Sequence, residues 1–344
     1  MTTAAETGRG HHRRRLIATL LGVAISLGLL YWVLRGVSLA TVLQHLRAAR
    51  PGPLILAVVI ATATFGLRVI RWRILLRTAS GDAVSWTALW HATAMGFMAN
   101  NTLPLRLGEL FRSYAASRLG RVPLTTAFSS IAVERALDAV VLIGLLIVAL
   151  LEAGLPGSTV VYGARLDTVV ERAALISAVI LAGALFVLSF PLAAERLVRL
   201  LVPARRFADR LINLIEGLRV GLGALKSPSR LLAAVGWSLA HWLLNATAFY
   251  VAFAAFDIHV GFGGALLLQS LLAFGIAAPS TPGYFGVFEA VTAGALFLFG
   301  VPTAVGFAYG ITYHITTFVP ITLLGLWSLT RTGLHVRDAT TTTP

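Results

Sequence analysis

The sequence predicts an all-α fold: a polytopic membrane helix bundle built from inverted repeats, with two re-entrant helical hairpins. Three observations lead there. Hydrophobic residues make up 57% of the 344 residues and charged residues only 12%, about half the share usual in a soluble domain. The apolar residues fall in runs of about 20, the length that crosses a hydrocarbon core at ~1.5 Å per residue. Two of the runs are interrupted, at corresponding places, by clusters of Pro, Gly, Asn, Ser and Thr.

The elements follow in chain order. Residues 1–15 form a basic tail carrying His11, His12, Arg13, Arg14 and Arg15. Leu16–Leu34 is long for a signal peptide and lacks a small-x-small cleavage site, so it reads as a retained signal anchor. Residues 37–50 are amphipathic and are expected on the far surface. Leu54–Ile70 is the next span, ending in Arg68, Arg71, Arg73 and Arg77. Trp86–Ala99 is apolar but short and stops at Asn100, Asn101, Thr102, Leu103 and Pro104; Leu105–Leu119 is a second short helix. Leu124–Leu151 is a long span holding Glu134, Arg135 and Asp138.

A polar loop, Glu152–Glu171, precedes a crossing at Arg172–Pro191 and a basic surface segment over residues 193–230. Leu231–Phe256 crosses again, with His241 and Asn245 one turn apart. Phe262–Ala277 is short and is broken by Pro279, Ser280, Thr281, Pro282 and Gly283 before a short helix over Tyr284–Phe299. Ala304–Leu329 is the last span, and residues 332–344 form a polar tail.

Charge bias orients this layout. With both broken segments returning to their side of entry, the expected cytoplasmic segments carry 21 basic residues and the outer loops 5, while Arg68 and Arg135 lie within spans. Cytoplasmic loops carry such an excess, so both termini are expected in the cytoplasm of a multi-pass cell-membrane protein with six full crossings. The formal charge of +14 is then read as loops facing anionic lipid and not as a nucleic-acid footprint. With no cysteine there is no disulfide framework and no thiolate chemistry.

The broken segments resemble each other. One runs from Asn100 and Asn101 through Pro104 to Gly108 and Glu109; the other runs from Pro279 and Ser280 through Pro282 and Gly283 to Gly286 and Glu289. Residues 54–151 and 231–329 are the expected halves of an inverted repeat. Paired, interrupted hydrophobic segments mark the binding site of a transporter. Irregular backbone at membrane depth persists only where protein or a wet cavity surrounds it. The helix N-termini so created attract anions.

Charges inside spans are costly and pair with one another. Arg106, Glu109 and Arg112 recur every three residues on one helix face, Glu134 and Asp138 are four apart, and Arg135 reaches Asp138 at i+3. Two readings stay open: an ion-pair network that holds the fold, or a site for a zwitterionic or anionic headgroup. Glu289 has no basic neighbour in sequence, which leaves an arginine from the other half as its partner or protonation of the carboxyl. His314 sits mid-span beside Tyr313. Trp and Tyr elsewhere are expected as interfacial anchors. No catalytic residue, nucleotide loop, cofactor site or metal pair emerges from the pattern; Asp257 and His259 are two residues, not a metal site.

Arg71-Trp72-Arg73, the run from Gly96 to Pro104 with Arg106 to Glu109, the set Glu134, Arg135 and Asp138, and Pro282-Gly283-Tyr284 with Gly286 and Glu289 resemble the lysylphosphatidylglycerol synthase transmembrane region. This is the flippase-like domain also called UPF0104, and the resemblance covers residues 15–331. It implies movement of a lipid between leaflets: in that family, aminoacylated phosphatidylglycerol in the multiple peptide resistance factor, hopanoids or dolichol-linked glycolipids in other members. It also implies a cavity around Arg106, Glu109, Arg112, Glu134, Arg135, Asp138, Tyr284 and Glu289. The family's synthases carry a soluble aminoacyl-transferase domain after the membrane region. No such segment follows here, so aminoacyl transfer is not expected.

The function expected is therefore a lipid flippase or transporter, not an enzyme, moving a phospholipid, aminoacyl-lipid or polyprenyl-linked glycolipid through a central polar cavity. Membrane lipids are its partners, an oligomer is compatible, and nucleic acid is not expected. Arg71, Asn100, Asn101, Pro104, Pro279, Ser280, Pro282, Gly283 and His314 complete the expected cavity. Two alternatives are a membrane-embedded transferase or hydrolase acting on a lipid headgroup, and a non-catalytic subunit that recruits a glycosyl- or aminoacyl-transferase through residues 193–230.

Overall fold

The computed structural model describes residues 38–78, 80–103, 107–152, 190–202, 227–276 and 281–334, with isolated positions at 28 and 31 and between 160 and 212. The described helices are α1 (Leu39–Ala48), α2 (Pro51–Leu75), α3 (Trp86–Thr102), α4 (Gly108–Gly120) and α5 (Leu124–Glu152), then α6 (Pro191–Leu201), α7 (Pro228–Phe253), α8 (Phe262–Gly275), α9 (Val287–Phe297) and α10 (Thr303–Thr332). Single 3₁₀ turns follow α7 (Ala254–Phe256) and precede α9 (Pro282–Tyr284), and Val160–Val161 pairs with Ala164–Arg165 as a two-residue hairpin.

The protein is thus an all-α membrane bundle. Three described stretches are long and apolar enough to cross a bilayer: Pro51–Leu75, Ser229–Phe256 and Thr303–Thr332, with mean hydropathies of 2.1, 1.4 and 1.2. The 29-residue α5 has the length of a fourth, interrupted by Glu134, Arg135 and Asp138. The expected spans at 16–34 and 172–191, the basic segment around 203–226 and both tails lie wholly or mostly outside the described residues.

Several helices end where the sequence did not place them. The basic cluster around Arg71 was expected to close the second span. Instead α2 runs on to Leu75, because Trp72, Leu75 and Leu76 continue its buried face and the charge on Arg71 is neutralised from within the protein. Arg71 therefore belongs to the helix interior and not to the cytoplasmic loop that counted it. Helix α3 likewise takes in Asn100, Asn101 and Thr102, which were expected to end it. Helix α4 starts at Gly108 instead of Leu105. Helix α9 starts at Val287 instead of Tyr284, because Gly283, Tyr284 and Gly286 have φ of 69°, 64° and 88° and cannot be helical.

The chain forms two compact units. The first comprises Met1–Thr62, Ala94–Phe111 and Ala246–Pro344; the second comprises Ala63–Thr93 and Arg112–Asn245. In lipid, helices are held together by close packing and interhelical hydrogen bonds more than by a hydrophobic driving force. In the first unit, Phe249 and Phe253 of α7, Leu268 of α8, Phe288 and Leu296 of α9, and Tyr309 and Tyr313 of α10 form one buried cluster. Phe249 stacks on Tyr313 with ring centroids 4.5 Å apart, and the Tyr309 hydroxyl donates to the Phe249 carbonyl at 3.0 Å. Helix α1 joins through Val42, packed with Ala290, Ala293 and Phe307. Pro320, inside α10, offers no N–H to the carbonyl one turn before it, and the hydroxyls of Thr312, Thr316, Thr317 and Thr322 bond carbonyls of the preceding turn.

Candidate functional site

The second unit is built around five charged side chains, four of them buried. Helix α2 supplies Arg71, α4 supplies Arg112, and α5 supplies Glu134, Arg135 and Asp138. Their spacing on α5 puts Glu134 and Asp138 one turn apart on the face that turns inward, with both residues under 4% exposed. Arg112 grips Glu134 with two parallel bonds, Nη1 to Oε1 at 2.9 Å and Nη2 to Oε2 at 3.0 Å. The fork geometry that makes this possible belongs to Arg and not to Lys. Arg71 Nη2 reaches Glu134 Oε1 at 3.0 Å, while its Nη1 pairs with Asp138 Oδ1 and donates to Ser238 Oγ at 2.8 Å. Arg135 pairs with Glu134 and lies 3.0 Å from Asp138 Oδ2.

Aromatic residues complete the enclosure. Trp242 Nε1 donates to Asp138 Oδ1 at 2.9 Å, and Trp72 Nε1 donates to Ser130 Oγ at 2.9 Å. The Arg112 guanidinium lies 3.8 Å from the centroid of the Trp72 ring, a cation–π contact. Trp72 and Trp242 are buried donors of the site, and Trp242, which lies outside the motifs, is not the interfacial anchor expected of it. Ser130, Ser238 and Trp242 are site residues that sequence reasoning missed. The one available signal was the four-residue spacing of Ser238 and Trp242 on α7.

The charges do not cancel. Among the described residues, three guanidiniums pair with two carboxylates and a fourth, that of Arg68, lies in the field of the same groups, so cations outnumber anions. Arg71, Arg112 and Glu134 are sealed, whereas the Arg135 side chain is 38% exposed. His241 is fully buried beside Trp242, in the field of Arg68, Arg71, Glu134 and Arg135, and among the described residues neither of its ring nitrogens has a hydrogen-bond partner; nor do Arg71 Nε and Arg112 Nε. Among the described residues, no three His, Cys, Asp or Glu side chains converge as metal ligands would.

The first unit contains both chain breaks. At the first, Asn100 Oδ1 accepts the Gly108 N–H at 2.9 Å, so the end of α3 caps the start of α4. A Cβ on Gly108 would sit 2.1 Å from the Gly96 carbonyl oxygen, so only glycine permits this clasp. Asn101 Nδ2 donates to Thr322 Oγ1 of α10 at 2.9 Å. Both asparagines expected to line a cavity are thus engaged in holding helices. Glu109, in the first turn of α4, is half-buried and has a partner, while Pro104 and Arg106 lie outside the described residues. Arg112, expected on one face with Glu109, is buried in the second unit's ion cluster.

At the second break, Pro279 and Ser280 lie outside the described residues. Thr281 Oγ1 donates to the Phe285 carbonyl at 2.7 Å, closing the turn that contains Pro282, Gly283 and a half-buried Tyr284. Gly283 requires its left-handed φ and is also pressed against other parts of the protein: a Cβ there would meet Phe318 at 2.8 Å and the Asn101 carbonyl at 3.2 Å. The tip of the second break therefore rests on the last turns of α3. Glu289, 1% exposed, accepts the Gly286 N–H at 2.6 Å through Oε2 and meets His314 Nδ1 at 2.7 Å through Oε1. The sequence left an arginine of the other half or protonation as alternatives for Glu289; its observed partner is the histidine of α10.

Comparison with known proteins agrees with these helices and motifs. A family model described as the lysylphosphatidylglycerol synthase TM region matches residues 19–325. A UPF0104 membrane protein of Methanothermobacter thermautotrophicus is 23% identical over 275 residues, covering 78% of this chain and 80% of that protein. The chain belongs to the lysylphosphatidylglycerol synthase transmembrane-region family.

Proposed function

We propose that the protein is a lipid transporter of flippase type. It carries the polar head of a phospholipid, aminoacyl-lipid or polyprenyl-linked glycolipid between leaflets while the acyl or prenyl tails stay in the bilayer. The observation that carries this reading is a partly exposed Arg135, paired with Glu134 and Asp138, at the edge of a buried cluster in which, among the described residues, guanidiniums outnumber carboxylates. A phosphate is the group that such a surplus attracts, and Arg binds it through paired donors. The carboxylates of Glu134 and Asp138 keep the arginines from collapsing onto lipid and lower the cost of holding them at membrane depth.

The two breaks support the same reading. Gly108 opens α4 and Gly286 immediately precedes α9, and each helix carries a glutamate in its first turn, Glu109 in α4 and Glu289 in α9. Matched interrupted helices of this kind belong to inverted-repeat transporters, and on this reading both breaks are re-entrant hairpins. The orientation proposed places both termini in the cytoplasm. Arg73 in the last turn of α2, Arg77 just after it and Arg230 at the start of α7 lie close enough for Arg77 to feel the other two. Burial first, then Arg230 and Arg73, hold the Arg77 guanidinium below its ordinary value, a concentration of charge suited to a cytoplasmic face.

The test is movement of fluorescent lipids between leaflets of liposomes holding the purified protein. Movement that depends on a phosphate-bearing headgroup and is lost in Arg135→Ala is the expected result. Folded protein that moves no anionic, aminoacylated or polyprenyl lipid overturns the proposal.

A further inference from the structure

We infer that the first unit binds a phospholipid at its rim, in a pocket that takes a net-neutral headgroup with its phosphate at Arg50 and its primary ammonium at Asp257. The pocket shares no residue with the ion cluster of the second unit, and the inference does not rest on the transport reading.

Two stretches long and apolar enough to cross a bilayer, Pro51–Leu75 and Ser229–Phe256, meet here, one beginning and the other ending. The Arg50 N–H donates to the Ala255 carbonyl at 2.9 Å and ties the two ends together. Beside them opens a pocket of about 720 Å³, lined among others by Arg50, Gly52, Leu56, Tyr250, Asp257 and His259. That volume is within the range of small-molecule sites. The ends of apolar crossing helices lie at the depth of phospholipid headgroups. Tyr250 meets Phe253 and Phe262 edge-on, with ring centroids 6.3 and 5.8 Å apart, and tyrosine is enriched at that depth. Ile55, Leu56 and Val59 are each more than half exposed and continue from Gly52 along one face of α2, an apolar track for an acyl chain.

The two charges sit where their own helices disfavour them. A helix N-terminus carries partial positive charge and a C-terminus partial negative charge. Arg50 immediately precedes α2, and Asp257 immediately follows the 3₁₀ turn that ends α7. Asp257 also takes a left-handed φ of 56°, at a helix end where glycine or asparagine is the usual residue. Their mutual contact offsets little of this: Arg50 Nη2 lies 3.4 Å from Asp257 Oδ1, and the side chains are 67% and 69% exposed. Among the described residues, neither charged group has another side-chain partner.

A zwitterion in the pocket resolves the conflict. Its phosphate lies beside Arg50 and the N-terminus of α2, and its ammonium beside Asp257 and the C-terminal end of α7. Each charge of the headgroup then meets both an opposite side chain and an opposite helix end. A headgroup that is only anionic leaves Asp257 facing a like charge, so the pocket selects against it. A primary ammonium donates hydrogen bonds to the carboxylate, which makes an ethanolamine phospholipid the fitting occupant.

The test is native mass spectrometry of the full chain, released from detergent over titrations of phosphatidylethanolamine and of phosphatidylglycerol with the same acyl chains. The wild type is expected to bind the ethanolamine lipid roughly tenfold tighter, the factor that one hydrogen bond to a charged group supplies. Asp257→Asn is expected to erase the preference, and Gly52→Leu, which fills the pocket and keeps both charges, to weaken binding of the ethanolamine lipid. Both variants are expected to fold: asparagine suits the left-handed position, and a Cβ at Gly52 meets nothing within 4 Å. Equal binding of the two lipids by the wild type overturns the proposal, as does a preference that survives Asp257→Asn or binding untouched by Gly52→Leu. The preference is expected to persist in Arg135→Ala; its loss there assigns the bound lipid to the ion cluster and overturns this site. Soluble phosphoethanolamine that binds as tightly as the intact lipid overturns a lipid as the occupant. Binding at equilibrium requires no movement between leaflets, so a protein that fails the liposome test but shows this preference rejects transport alone, and the reverse rejects the pocket alone.

Discussion

The ion cluster of the second unit and the Glu289–His314 pair of the first are both buried charges at membrane depth, but they are neutralised in different ways. In the cluster, Glu134 faces three guanidiniums and Asp138 faces two, together with the Trp242 N–H. Arginine does not release its proton under physiological conditions, so this charge pattern is permanent and its cost is met once, by geometry. In the pair, a single carboxylate is held by one imidazole and one backbone N–H. The first arrangement is suited to holding several helices and presenting a constant field, the second to fixing one turn against α10. Cutting each in turn tests that contrast.

The largest effect is expected from Glu134→Ala, which strands Arg71 and Arg112 as underpaired buried charges. Breaking a buried pair in this way costs about 3–5 kcal/mol, so the protein should lose much of its thermal stability in detergent. A melting temperature close to wild type would show that the cluster does not hold the second unit together. Arg112→Lys keeps the charge but not the fork, and should cost about 1.5–3 kcal/mol, the range of a hydrogen bond to a charged group. Equal stability of Arg and Lys at this position would mean that charge alone matters there.

Glu289→Gln is expected to be milder. The amide oxygen still accepts the Gly286 N–H, and only the bond to His314 is weakened, at about 1 kcal/mol. If this variant destabilises the protein as much as Glu134→Ala, the contrast between the two sites fails. The smallest effect on stability belongs to Arg135→Ala, under ~1 kcal/mol for a partly exposed pair whose carboxylates keep other partners. The same variant should abolish lipid movement, a separation of folding from function that the buried arginines cannot show.

Much of the molecule is legible in the sequence. The helical class, the two breaks, the inward face of Glu134 and Asp138 and the inclusion of Arg112 follow from hydropathy, spacing and the cost of charge in lipid, whereas Arg71 was marked only by the resemblance of the Arg71-Trp72-Arg73 motif. These are local properties: a run of apolar residues, a Pro or Gly, an i,i+4 repeat. The boundaries that failed did so at polar residues whose behaviour depends on remote partners. Arg71 looked like the end of a span because nothing near it in sequence could neutralise it, yet Asp138, 67 residues away, does so. Asn100 and Asn101 looked like helix breakers and cavity ligands, yet they are engaged by Gly108 and by Thr322, the latter 221 residues away.

By itself, then, the sequence determined which residues must avoid lipid and where the helices could be interrupted, because both depend on the chemistry of neighbouring residues along one chain. Only the tertiary structure decided who neutralises whom: that Arg112 takes Glu134 with both nitrogens, that Trp242 completes Asp138, and that Glu289 meets a histidine instead of an arginine. The physical reason is that a buried charge is satisfied by whatever donor comes within about 3 Å, and that distance is set by the crossing of helices far apart in the chain.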